Sequence, residues 1–156
     1  MQTKRKEIPN KILIEKVAEA LANGHTATLR VRGYSMRPFL ETDRDIVKLK
    51  SPACPGLIKV GDAVLGRLPN DIYVLHRVIR RDGNKLILMG DGNIYSTETL
   101  FDTDVIGVVT AFYRKGRSVP DLVTGLKWRV YSVIWMRLKP LRRILLGVYR
   151  RQPWRL

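Results

Sequence analysis

Between Thr26 and Tyr113 the chain is written in short period-two runs, and this alternation restricts its fold more than any other feature. Leu29 and Val31 alternate with Arg30 and Arg32 until Gly33 breaks the pattern, and strand-like runs follow at 45–49, 63–68, 72–80, 85–89 and 105–113. Successive side chains of a strand point to opposite faces, so alternation of this kind marks strands with one face buried and one wet. Turn-forming residues separate the runs at Lys59-Val60-Gly61-Asp62, Pro69-Asn70-Asp71 and Asp82-Gly83-Asn84, where Gly, Pro, Asn and Asp each favour a reversal. The link Arg81-Asp82-Gly83-Asn84 is short enough to close a hairpin. Strands of this length and spacing predict a mainly β fold, a coiled antiparallel sheet or small barrel.

Helices flank this region. Asn10 is placed to cap a helix in which Leu13, Val17, Ala20 and Leu21 recur at helical spacing until Asn23-Gly24 stops it. After Asp121 the composition changes: no Asp or Glu remains, while Lys127, Arg129, Arg137, Lys139, Arg142, Arg143, Arg150, Arg151 and Arg155 are cationic. Pro140 should divide this tail into two helical pieces. In the second, Leu141, Ile144, Leu145 and Val148 share one face, with Arg142, Arg143 and Arg150 on another. Trp128, Trp135 and Trp154 add rings suited to headgroup depth. Two readings of the tail stand side by side. It is a helical extension packed on the sheet or on a second copy of the chain, with its arginines solvated, or an anchor in which residues 122–156 lie on an anionic membrane surface. The expected organisation is an N-terminal helix over 1–24, a β domain over 25–117 and a basic helical extension over 118–156.

At 156 residues the chain is one domain able to bury a core, and a hydrophobic content of 45% excludes a disordered tail protein. A formal net charge of +15 predicts attraction to a polyanion. The single cysteine, Cys54, sits in Ser51-Pro52-Ala53-Cys54-Pro55-Gly56, which reads as a loop, and it rules out an internal disulfide. That suits a reducing compartment. The basic stretch from Met1 to Glu7 is not followed by the apolar run of a secretory leader, because Glu15 and Lys16 interrupt Ile12-Leu13-Ile14. Nor is there an apolar run of about 18 residues to span a bilayer. The expected location is cytoplasmic, peripheral on the inner face of the membrane where the tail acts as anchor.

The chemistry concentrates in three short motifs. Ser35 lies in Gly33-Tyr34-Ser35-Met36-Arg37-Pro38, a turn that could hold its hydroxyl at the lip of a groove with its backbone N–H toward a developing oxyanion. A serine hydroxyl needs a neighbouring base. His76, in Ile72-Tyr73-Val74-Leu75-His76-Arg77-Val78-Ile79, shares a strand face with Val74 and Val78, and a largely neutral imidazole can accept a proton at pH 7. Gly90-Asp91-Gly92-Asn93 offers an acid to orient that imidazole, though Asp91 could equally bond its own backbone in the turn. His25 has no such context and reads as a strand-edge residue.

The order and spacing of these motifs resemble the serine peptidase superfamily that joins type I signal peptidases to LexA-type self-cleaving repressors. The branch most similar is the endoplasmic-reticulum and archaeal signal peptidases, which pair serine with histidine. By this resemblance Ser35 corresponds to the nucleophile of the Gly-x-Ser-Met-x-Pro pattern, His76 to the base in His-Arg-Val, and Gly90-Asp91-Gly92-Asn93 to a Gly-Asp-Asn-Asn turn. Lys59-Val60-Gly61-Asp62-Ala63-Val64 is similar to the family's entry into a core strand. The likeness runs from about Thr26 to Phe112. The chain departs from the family at Gly33, where signal peptidases often carry an oxyanion-assisting serine, and beyond the acidic turn, where Ser96-Thr97 stand with Glu98, Asp102 and Asp104 only nearby. Asp91 is thus the first choice for the third catalytic member and Glu98 the second, with a Ser-His dyad as a further alternative.

The expected function is a serine endopeptidase that cleaves an extended peptide by acyl transfer, with a peptide or protein as substrate. No cofactor and no metal are expected, since no Cys/His cluster is present to hold one. The alternative is a non-catalytic binding module of the same fold that uses its basic surface for membrane or nucleic acid. LexA-like repressors carry a DNA-binding helix-turn-helix, and only one helix precedes the first strand here, which disfavours nucleic acid.

Overall fold

The computed structural model describes residues 10–52 and 57–151. Its elements are α1 (Asn10–Ala22), β1 (Ala27–Arg30), β2 (Ile46–Lys50), β3 (Ala63–Leu68), β4 (Ile72–Asp82), β5 (Lys85–Met89), β6 (Glu98–Phe101), β7 (Val105–Tyr113), β8 (Asp121–Leu122), α2 (Leu126–Arg137) and α3 (Arg142–Arg150). The strands form one antiparallel sheet in the order β1-β2-β7-β3-β4-β5-β6, with β8 added to β7. The sheet is not closed, so the mainly β reading holds as an open antiparallel sheet and the small barrel does not. Cys54 with residues 53–56, the basic residues before Asn10, Trp154 and Arg155 lie outside the described residues.

Alternation along each strand divides the apolar side chains between two clusters. Ala63 and Leu65 of β3 join the first, with Leu49, Val109 and the inner face of α1, namely Ile14, Val17 and Leu21. Val64, between them, joins the second with Val78, Leu86, Leu88 and Leu100. A strand buried on both faces fits the central place of β3 in the sheet. The β4–β5 hairpin closes at Asp82 and Lys85, around the Gly83-Asn84 pair at its tip. α1 starts at Asn10 itself, a one-residue difference from a capping role and within the ordinary fraying of helix ends. At its other end the His25 N–H donates to Ala20 O at 3.0 Å, so His25 closes the helix instead of edging a strand.

Two elements escape the alternation pattern. β6 pairs Leu88 with Glu98 through Lys85 with Phe101, yet only Leu100 of its four residues is buried, so it is too short and too polar to show a period. β8 has two residues.

The C-terminal helices are divided at Lys139–Leu141, a single tight turn that contains Pro140. α2 packs on the sheet. Trp128 sits within the first core cluster, its ring centroid 4.8 Å from that of Phe39 and 4.7 Å from that of Phe112. α3 buries Arg142 and Leu146. Arg142 is therefore not solvated: it is 1% exposed, its Nε has no hydrogen-bond partner, and burial draws its guanidinium below the ordinary arginine value.

Candidate active site

The loop between β1 and β2 is tied at its neck, and the tie positions the serine. Val31 N–H donates to Asp45 O at 2.9 Å, Asp43 N–H to Val31 O at 2.8 Å, and Gly33 N–H to the Thr42 hydroxyl at 3.1 Å. Gly33 stands at φ 90°, a left-handed angle open to glycine at little cost. Arg37 N–H then closes a turn on Tyr34 O at 3.2 Å, with Ser35 and Met36 at its corner. Met36 and Leu40 plug into the core beneath, at 2% and 0% exposure, and Ser35 is left half-buried above them. Among the described residues no acceptor takes up the Ser35 backbone N–H, as is required of an oxyanion donor.

The glycine-rich turn after β5 braces this corner from behind. Gly92 N–H donates to Ser35 O at 2.7 Å. The approach leaves no room for a side chain: a Cβ on Gly90 would stand 2.3 Å from Ser35 O, and one on Gly92 would stand 2.5 Å from Tyr34 O. Gly90-Asp91-Gly92-Asn93 is a platform for the Ser35 backbone.

His76 is buried on β4, opposite Val64 of β3. Its Nδ1 lies 2.8 Å from Oε2 of Glu98, the first residue of β6. An ionised carboxylate can only accept, so a neutral imidazole paired with one carries its proton on Nδ1 and keeps the lone pair on Nε2. Nε2 has no protein partner among the described residues and is not sealed from solvent. The acid that orients the imidazole is thus Glu98, the second choice from sequence.

Asp91, the first choice, is engaged elsewhere. Arg77 donates from Nε to Asp91 Oδ1 at 2.8 Å and from Nη2 to Oδ2 at 2.7 Å, with both side chains fully buried. Tyr131 of α2 donates its hydroxyl to Asp91 Oδ2 at 3.0 Å, and Trp135 Nε1–H donates to Asp91 O at 3.1 Å. Burial, reinforced by the charge of Asp91, pushes the Tyr131 phenol far above its ordinary value and keeps it a donor. Arg77 also donates to Ser132 Oγ at 2.6 Å and to Gly61 O at 3.1 Å, and its guanidinium lies 4.2 Å from the Trp128 ring centroid. Successive strand residues face opposite ways, so His76 is sent to one face and Arg77 to the other, where α2 covers it.

Ser35 and His76 line the same groove, of about 710 Å³, together with Leu29, Val31 and Tyr73 and with Leu13 and Ile14 of α1. No hydrogen bond joins the Ser35 hydroxyl to the imidazole among the described residues. Two strand edges border the groove. Among the described residues β1 pairs only with β2, and Ile72 to His76 of β4 pair only with β3, because the pairing of β4 with β5 begins at Arg77. Backbone donors and acceptors along such edges remain available to an added strand.

The sequence motifs pointed to Ser35 and His76 and brought the Gly-Asp turn near them, but did not single out the Arg77–Asp91 pair or its cover from Tyr131, Ser132 and Trp135. The available signal was an arginine in mid-strand among apolar residues, which needs a buried carboxylate. No protein-family model matches the chain, and no curated protein matches it in sequence.

Proposed function

We propose that this protein is a serine endopeptidase of the signal peptidase/LexA type, which cleaves an extended peptide through Ser35, His76 and Glu98. The observation that carries the reading is the common groove of Ser35 and His76, with Nδ1 of the imidazole held by a carboxylate and Nε2 left open. The substrate lies as a strand along the unpaired edges of β1 and β4, with backbone hydrogen bonds supplying register. Ser35 Oγ attacks the scissile carbonyl while Nε2 of His76 takes its proton, and the Ser35 N–H stabilises the oxyanion. The C–N bond then breaks as Nε2–H gives that proton to the leaving amine. Water, deprotonated by the same nitrogen, adds to the acyl carbonyl; the C–Oγ bond then breaks, the imidazolium returns its proton to Ser35 Oγ, and the second product leaves as the acid. Glu98 holds the imidazole in the required tautomer and stabilises the imidazolium between these transfers. Serine–histidine contacts that are loose in a free enzyme tighten once substrate fills the site.

The direct test is incubation of the chain with a library of natural peptides, reading new termini by mass spectrometry. Cleavages made by the wild type and absent with Ser35→Ala support the reading. Identical termini from both proteins refute it and leave a binding module that carries a basic surface.

A further inference from the structure

α3 faces the protein with the less apolar of its two stripes. Leu141, Ile144, Leu145 and Val148, spaced i, i+3, i+4 and i+7, are exposed, and Ile144 is 65% so. The positions turned inward are Arg142, Leu146 and Tyr149; the Tyr149 hydroxyl reaches Pro38 O at 3.4 Å and Glu41 Oε2 at 3.3 Å. The same inversion continues on α2. Val130, Val133 and Ile134 are exposed on the side away from Trp128, Ser132 and Trp135. Apolar side chains at consecutive helical positions on an outer surface are unfavourable in water and mark a surface that meets something.

The chemistry of that partner follows from charge. Arg129, Arg137, Lys139, Arg143 and Arg150 are exposed around these stripes, and none has an ion-pair partner among the described residues. No acidic residue follows Asp121 anywhere in the chain. A second copy carries the same net charge of +15 over its whole chain, and a like-on-like contact would set the same unpaired cations against each other, which opposes self-association. An apolar helical stripe rimmed by unpaired arginines matches an anionic lipid surface, where aliphatic side chains enter the acyl boundary and cations meet headgroup phosphates. No helix among the described residues is long and apolar enough to cross a bilayer, so the contact lies in the plane of the interface.

We infer that α3 and the outer face of α2 seat this protein on an anionic lipid bilayer. This seat is independent of the hydrolytic chemistry of Ser35. Because α2 carries part of the core, truncation would confound the test, so it uses the full chain with exposed residues replaced. Flotation is measured with vesicles of phosphatidylcholine alone and of phosphatidylcholine with phosphatidylglycerol. The wild type should float with the anionic vesicles and not with the neutral ones. The double variant Ile144→Ser/Val148→Ser and the separate variant Arg143→Gln/Arg150→Gln should each lose at least about tenfold in partitioning, with the melting temperature of each unchanged. Three results would overturn the inference: failure of the wild type to float with anionic vesicles, equal flotation on neutral ones, or binding unchanged by the Ile144/Val148 replacement. A lipid-free dimer that the same replacement disperses would assign the face to a second copy and overturn it as well.

Discussion

Arg77 and Asp91 form a fully buried, two-pronged ion pair, with hydrogen bonds of 2.8 and 2.7 Å, that joins the strand of His76 to the turn supporting Ser35. Burying two charges is costly, and here the cost is offset by completing their partners: Tyr131 fills the second site on Oδ2 and Ser132 and Gly61 accept from Nη1. Removing one member leaves the other charged in the core. Arg77→Met should therefore destabilise the fold by about 3–5 kcal/mol, read from chemical denaturation. A loss below about 1 kcal/mol would mean that the pair is not the brace described here.

Glu98 and Asp91 should separate by experiment. Glu98→Gln retains a group able to hydrogen-bond Nδ1 but removes the charge that stabilises the imidazolium, so acylation of Ser35 should slow by about 10²–10⁴-fold with little change in melting temperature. Asp91→Asn should show the reverse order of effects, with stability lost first. Equal acylation rates in Glu98→Gln and the wild type would remove Glu98 from the catalytic group.

Gly90 leaves room for Ser35, the proposed nucleophile, through its missing side chain. A methyl group there meets the Ser35 carbonyl oxygen at 2.3 Å and Ser35 Cβ at 3.0 Å, and backbone cannot swing aside as a side-chain tip can. Gly90→Ala should displace Ser35 by a fraction of an ångström or more and, if Ser35 is acylated as proposed, cut that acylation by about a hundredfold. Gly116→Ala, at a turn with open space around the glycine, provides a control for general strain. Similar acylation rates in the two variants would show that the turn does not position Ser35.

Asp45 gives the fold an acid-sensitive contact. Burial alone would raise its pKa, but hydrogen bonds from Arg44 and the Glu41 N–H, with the charge of Arg114, hold it below the ordinary carboxylate value. A carboxylate with a lowered folded pKa contributes stability above its unfolded value of about 3.9 and loses that contribution as pH falls through the folded value. Denaturation free energies measured from neutral pH down to pH about 3 should therefore decline more steeply for the wild type than for Asp45→Asn, which should be the less stable of the two at neutral pH. Parallel curves would contradict this.

What could be read from the sequence follows from how locally each feature is encoded. β3, β4, β5 and β7 are long enough to express a two-residue period, and their turns carry residues chosen for backbone angle, so strands and hairpin were legible. Ser35 and His76 stood out because each sits in a short motif. The partner of His76 did not, since choosing between Asp91 and Glu98 needs the register that sets Leu88 opposite Glu98, and β6 is too short to announce that register. The tail was half legible. Its division at Pro140 and its apolar stripes are local, but which stripe faces the protein is decided far away in sequence, by Arg77, Asp91 and Phe39 for α2 and by Met89, Pro38 and Glu41 for α3.

The central claim is that the Ser35 hydroxyl is activated by His76, and intact-mass spectrometry after exposure to a fluorophosphonate measures this most directly. The wild type should gain one adduct, mapped to the peptide that contains Ser35, with none on Ser35→Ala and a strongly slowed reaction on His76→Ala. An adduct on Ser35→Ala equal to that of the wild type, or no adduct on the wild type at all, would contradict the account.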